Sequence, residues 1–414
     1  IMISTSYRRT VLPTIDSTQL VYVLIDMLSF KDDSAESGPT EPPLNVTLVL
    51  DTSTSMKGHR LDNLKKTASQ IVKTLKPQDV ISIITFNDRA ETIVPATRSD
   101  DQIYINSKIS QISTGGGTEI FQGLDAGLLQ IKKQLASGYI NHMFLITDGK
   151  TYGDEEQCLE LADEAAAKGV AISAMGIGSE WNDEFLEQIT VKTGGSTVFA
   201  SEDFDIDEML SKRFEQVAKS YANQVKLEFQ ECANARLQYA FRLSPEPGNL
   251  NTNSPIILGD VPLNGRLSMI MEFMVNPLDA SEETVDLIDG NIEMVIPSRA
   301  IPKTNSRIQL KRPAAKDPDL HPPPQVLLKA MSRLTLFRIQ EQANKDLDAG
   351  EVDKALKKLH NLNTQLLAAG EPGLAKTVLI QAKEIEKYGK IDPKTEKRVR
   401  FGTRALMLPS GLKE

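Results

Sequence analysis

The chain is poor in the residues that build most small catalytic and metal centres: two cysteines, four histidines and one tryptophan among 414 residues. Cys158 and Cys232 are far apart, so neither a disulfide framework nor a cysteine-ligated zinc site can be assembled from them. His142, His321 and His360 are scattered without metal-ligand spacing, and His59, four residues past Ser55, reads more readily as a surface residue than as a ligand. An excess of positive charge is absent too. The 47 Lys and Arg against 56 Asp and Glu leave a net charge of −9, the wrong sign for a chain whose main partner is nucleic acid. No run of about 18 apolar residues reads as a membrane-spanning helix. The opening IMISTSYRRT lacks the basic-then-apolar layout of a secretory signal, so the cytoplasm is the expected compartment. Glycine-rich phosphate motifs are missing; Gly176-Ile177-Gly178 is a strand end and no more.

With 40% hydrophobic and 25% charged residues, the composition is that of a soluble globular protein, long enough for two or three domains. TQLVYVLIDMLSF (18–30) reads as a buried strand, followed by a polar, proline-containing loop, KDDSAESGPTEPP. From 44 to 222 apolar strands alternate with amphipathic helices. LNVTLVLD, DVISIITFN, HMFLITDG, VAISAMGIG and STVFASE are the strands; AETIVPA (90–96) suits an edge strand carrying proline. Helices are expected from Leu61 to Leu75, over 120–135, 155–169 and 207–224, and in DEFLEQITVKTGG. This pattern predicts a doubly wound α/β domain with a mostly parallel sheet.

Residues 223–315 return to strands. VKLEFQ, RLQYAFRL, SPIILGDV and NIEMVIP are four of them; in RLSMIMEFMV, Leu267, Met269, Met271, Phe273 and Val275 alternate with the intervening residues. Together with residues 1–43 they make one β-sandwich into which the α/β domain is inserted. From 322 to 414 three amphipathic runs, each closed by glycine, predict a helical bundle. A fourth helix is expected with Asp392 as its cap and Pro393 in its first turn. The basic stretch Lys390, Lys394, Lys397, Arg398, Arg400, Arg404 and Lys413 reads as a solvated helix face.

Three short segments carry the chemistry. Asp51, Ser53 and Ser55 in DTSTSM lie just beyond the first strand of the α/β domain, where open α/β sheets bind ligands. Alone, Asp-x-Ser-x-Ser arises in about one chain in ten of this length, and it also suits a loop capping the next helix. Gly115-Gly116-Gly117-Thr118 precedes the 120–135 helix, either for close backbone approach to a ligand or with Thr118 as a cap. Asp148-Gly149 ends HMFLIT and can equally start a turn.

In order and placement these segments resemble the metal-ion-dependent adhesion site of von Willebrand factor A domains, over about 44–222. The resemblance implies that Ser53, Ser55 and Thr118 bind a divalent ion through hydroxyl oxygens. Asp51 and Asp148 then act through waters and hydrogen bonds. Mg²⁺ is expected, with Mn²⁺ or Ca²⁺ as alternatives: it is hard, takes six oxygens and keeps waters. Neutral hydroxyl ligands leave the ion electrophilic towards an Asp or Glu of a protein partner, so binding rather than catalysis is expected. An A domain set within a sandwich is similar to inter-alpha-trypsin-inhibitor heavy chains and related bacterial proteins. DTSTSM is similar to the form found in intracellular bacterial members, which implies an AAA+ ATPase as a partner class. Two other readings stay open: a Mg²⁺-dependent phosphohydrolase using Asp51, and a structural domain whose site is empty. Trp181 can contact a partner or pack on its loop, His59 reads as a surface histidine at a helix start, and Cys158 as a small apolar residue.

Overall fold

The computed structural model describes residues 1–30, 42–135, 138–201, 206–299, 301–318 and 321–407. Most of the expected loop at 31–43, and Lys413, lie outside them. Three strands open the chain: β1 (Met2–Tyr7), β2 (Leu12–Pro13) and β3 (Gln19–Leu28). The α/β domain then runs through β4 (Leu44–Asp51), α1 (His59–Thr74), β5 (Val80–Phe86), β6 (Ala90–Arg98), α2 (Gln102–Ser110) and α3 (Ile120–Lys133). It continues with β7 (Ile140–Thr147), α4 (Glu155–Ala167), β8 (Val170–Ile177), α5 (Asp183–Thr193), β9 (Thr197–Ala200) and α6 (Ile206–Ala218).

Its sheet has the order β6-β5-β4-β7-β8-β9, parallel except for the antiparallel edge strand β6. The run LNVTLVLD is buried along its whole length because helices cover both faces. Val46, Leu48 and Leu50 face α1, α2 and α6, where Leu64, Ile71, Ile105 and Phe214 meet them. Val49 points the other way, to Leu124, Leu128, Leu161 and Ile189 on α3, α4 and α5. The order reverses at the centre. From β4 the chain crosses to β5 on one side, and β7 later pairs with β4 on the other. The loops leaving β4 and β7 therefore diverge and open a crevice at their carboxyl ends.

Beyond the α/β domain come β10 (Ser220–Gln230), β11 (Ala235–Ser244), β12 (Gly248–Leu250) and β13 (Ile256–Pro262). The series ends with β14 (Arg266–Val275), β15 (Thr284–Val295) and β16 (Lys303–Ala315). They join the N-terminal strands in two five-stranded sheets, β1-β3-β14-β11-β12 and β13-β10-β15-β16-β2. Strand β3 pairs with β14 over ten residues, from Leu28–Arg266 to Gln19–Val275, so the sandwich closes across the inserted domain.

The alternation expected of β14 is only half of its environment. Ile270 on its second face is buried with Leu24, Phe241, Leu334 and Phe337, because α7 (Gln325–Asp348) lies on the outside of that sheet. Helices α8 (Val352–Ala368), α9 (Pro372–Tyr388) and α10 (Pro393–Ala405) complete a bundle with α7. Asp392 caps α10 by accepting from the Thr395 N–H, with Pro393 at its start, as the sequence predicts.

Helix α10 corrects one expectation and decides another. Its basic residues are not all solvated: Lys397 and Arg404 are buried, and Arg400 is nearly so. Lys397 Nζ donates to the Trp181 carbonyl at 2.9 Å and sits 3.2 Å from Asp183. Arg400 pairs with Asp183 at 2.5 Å and with Glu187 at 3.0 Å. Arg404 reaches Glu187 at 3.4 Å and donates to the Pro247 carbonyl of the sandwich. Trp181 is 1% exposed, packed beside Phe199 and Phe401, and has no face left for a partner. A helix periodicity shows which side of α10 is charged, but not that an acidic α5 lies opposite it.

Burial alone would raise the Asp183 carboxyl, but Arg400 and Lys397 outweigh it and hold it below the usual range. Removing Arg400 would leave two mostly buried carboxylates short of a cation. Arg400→Ala is expected to destabilise the junction by about 3 kcal/mol. Urea denaturation followed by Trp181 fluorescence checks this, and a change below about 0.5 kcal/mol would show that the ion pairs do not hold α10 in place.

Candidate metal centre

Asp51 ends β4, 0% exposed, in the crevice opened by the strand reversal. One carboxylate oxygen accepts from the Ser53 backbone N–H at 2.8 Å, the other from Thr147 Oγ1 at the end of β7 at 2.6 Å. The carboxylate thus ties the two diverging loops together. Burial pushes it above the usual carboxylate range; hydrogen bonds from Ser53 and Thr147 oppose the shift, and the nearby Asp148 charge adds to it. This site gathers negative charge.

After Asp51 the chain makes a 3-10 turn, Thr54–Met56, whose Met56 is fully buried beside Leu61 and Leu64. That anchor holds Ser55 at the rim while Ser53 stays inside. The two hydroxyl oxygens lie 3.0 Å apart, and Ser55 Oγ donates to Asp148 Oδ1 at 2.7 Å. The second loop is stitched to the first: Gly115 N–H donates to the Thr52 carbonyl at 2.8 Å, and Thr54 Oγ1 to the Gly116 carbonyl at 2.9 Å. Gly116 has φ +80° and lies so close to Asp88 that a Cβ would fall 2.6 Å from its carboxylate.

Thr118 is not the cap of α3. The cap position is Glu119, without a side-chain bond, and the first turn is satisfied from the third loop. Thr151 Oγ1 accepts from Ile120 N–H at 3.0 Å and Asp154 Oδ2 from Phe121 N–H at 2.8 Å. The Thr118 hydroxyl is therefore left over the crevice beside Gly149, where a Cβ would come within 3.0 Å of it. Helix α3 seats close enough for this because Gly123 and Gly127 let it lie against Val49 and Phe86. Asp51, Ser53, Ser55 and Asp148 form one connected cluster, and Thr118 stands at its edge. His59 is exposed at the start of α1. Cys158 is buried in apolar packing, which raises its thiol.

The donors suit a hard divalent cation. Two oxygens at right angles, each about 2.1 Å from an octahedral ion, are about 3.0 Å apart, the spacing of Ser53 and Ser55. No group of three or more His, Cys, Asp and Glu residues able to hold a metal occurs among the described residues, so this hydroxyl-rich cluster is a different type of site. Sequence reasoning missed four residues of the neighbourhood: Arg60, Thr147, Thr151 and Asp154. Asp154 stands just before α4 and reads as that helix's cap, yet its side chain serves α3.

Residues 45–212 match the family model of the von Willebrand factor type A domain. This part of the chain has the A-domain fold. Residues 325–409 match a second family, the Sll0103-like C-terminal alpha-helical domain. An uncharacterized protein of Synechocystis, sll0103, is 28% identical over 63% of this chain and 60% of its own length. Human inter-alpha-trypsin inhibitor heavy chain H4 is 26% identical over 54% of this chain but 26% of its own length. The chain thus spans less than two thirds of these relatives. A von Willebrand factor type A structure from Catenulispora acidiphila superposes with TM-score 0.75 and 14% identity, covering 97% of this chain and 96% of that one. The A domain, sandwich and helices therefore share one fold with it. No described helix is long and apolar enough to cross a membrane.

Thr147→Val keeps the shape at a fully buried position but takes the donor from Asp51 Oδ2. A loss of about 1–3 kcal/mol is expected, read from the urea midpoint. Unchanged stability would mean that the Asp51 carboxylate does not join β4 to β7.

Proposed function

We propose that the A domain binds a divalent cation, Mg²⁺ by preference, and through it a carboxylate of a protein partner. The observation that carries this reading is the pair of serine hydroxyls at cis-ligand spacing beside two carboxylates already engaged in hydrogen bonds. Ser53, Ser55 and Thr118 would hold the ion directly. Asp51 and Asp148 would orient those hydroxyls and balance charge from one step further out, as groups behind metal ligands do elsewhere. A cation so held keeps most of its charge and offers a position where an Asp or Glu oxygen replaces water.

The same geometry argues against phosphohydrolase chemistry on Asp51. An attacking carboxylate needs an oxygen open to the phosphoryl group, whereas Asp51 is fully buried with both oxygens engaged. Binding without catalysis is the reading we favour. Ser55, exposed at the rim, supplies the opening towards a partner.

Isothermal titration with Mg²⁺ and Mn²⁺, alongside capture of partners from the native host with and without EDTA, tests the proposal. Ser53→Ala should weaken metal binding at least about tenfold and abolish EDTA-sensitive capture while the circular dichroism spectrum is kept. Titrations silent for both ions, or capture indifferent to EDTA, would overturn it.

A further inference from the structure

Asp148 is held from two sides. Oδ1 accepts from Ser55 Oγ, whereas Oδ2 is paired with Arg60 at 2.5 Å. Arg60 belongs to the first turn of α1, and the same Nη1 lies 3.3 Å from the Ser55 carbonyl. The carboxylate is fully buried, while the Arg60 side chain is 28% exposed at the rim. A cation in a cation-binding site is unexpected on charge alone, because it repels the ion that the site collects.

We propose that Arg60 is a positioning residue that sets metal affinity against carboxylate affinity; the inference rests on the metal-site reading above. With Oδ1 accepting from Ser55 and Oδ2 paired with Arg60, the Asp148 carboxylate is held by these two side chains rather than free to turn onto the ion. A direct carboxylate ligand would bind the ion more tightly and cancel one unit of its charge. Arg60 keeps that ligand away by holding Oδ2. An external carboxylate then meets an ion that Asp148 has not neutralised by direct contact. The partner chemistry favoured is therefore a single Asp or Glu side chain bound at that ion.

Arg60 can be separated from a residue that merely props up the loop, because the two affinities should move in opposite directions. The full chain and R60Q would be titrated with Mn²⁺ by electron paramagnetic resonance. Glutarate would then be added to the Mn²⁺-loaded protein and followed by water-proton relaxation. R60Q should bind Mn²⁺ at least about fivefold tighter and glutarate at least about fivefold weaker, with fewer waters on the ion as Asp148 joins it. R60K, which keeps the charge without the guanidinium, should fall between, and serves if R60Q folds poorly. Both affinities falling together, or neither changing, would overturn the role of Arg60. Failure of the unaltered chain to bind Mn²⁺ would instead overturn the metal site itself.

Discussion

The hydrogen bonds of one buried carboxylate hold the functional end of this molecule together. Asp51 sits where the order of strands reverses, between loops that leave β4 and β7 in opposite directions. Such a crevice exists in any open sheet that changes winding direction. What is particular here is that Thr147 and the Ser53 backbone both point at the same carboxylate, so the crevice has fixed walls. Placing an acid there is costly, as its raised proton affinity shows. A site that spends stability on gathered negative charge is poised to take up a cation.

The rest of the architecture keeps that end rigid and presents it. Loops two and three are joined by Thr151 and Asp154, which satisfy the start of α3. The neighbouring loop after β8 is covered by α10, whose Lys397, Arg400 and Arg404 meet Trp181, Asp183, Glu187 and Pro247. Helix α10 therefore touches the helical bundle, the A domain and the sandwich at one junction. Ion pairs in such a place add little net stability over apolar packing, but breaking one is costly. Burial pulls Lys397 below the usual lysine range despite its partner Asp183.

Much of the fold was legible from residue patterns. Continuous apolar strands such as LNVTLVLD, alternating with helices, announced a parallel sheet, and Asp392-Pro393 announced the start of α10. The hydroxyls and acids at strand ends were legible for the same reason: chemistry placed at the carboxyl edge follows the topology. Pairings across long separations were not. Nothing local in β14 shows that α7 covers Ile270, and nothing local in α10 shows that Arg400 finds Asp183. Short α2, with little apolar stripe, gave no clear periodic signal. At the site, Ser53 and Asp148 stood out by motif, whereas Arg60 is only one basic residue on an exposed-looking helix start until the fold brings it against Asp148.

One measurement bears most directly on whether three loops share a single ion. Crystals of the full chain grown with Mn²⁺ and recorded at a wavelength that makes manganese scatter anomalously would locate it. The account predicts a single peak about 2.1 Å from the hydroxyl oxygens of Ser53, Ser55 and Thr118, with neither Asp51 nor Asp148 bound to it directly. Density at the crevice coordinated by the two aspartates, or no peak there at saturating Mn²⁺, would contradict it.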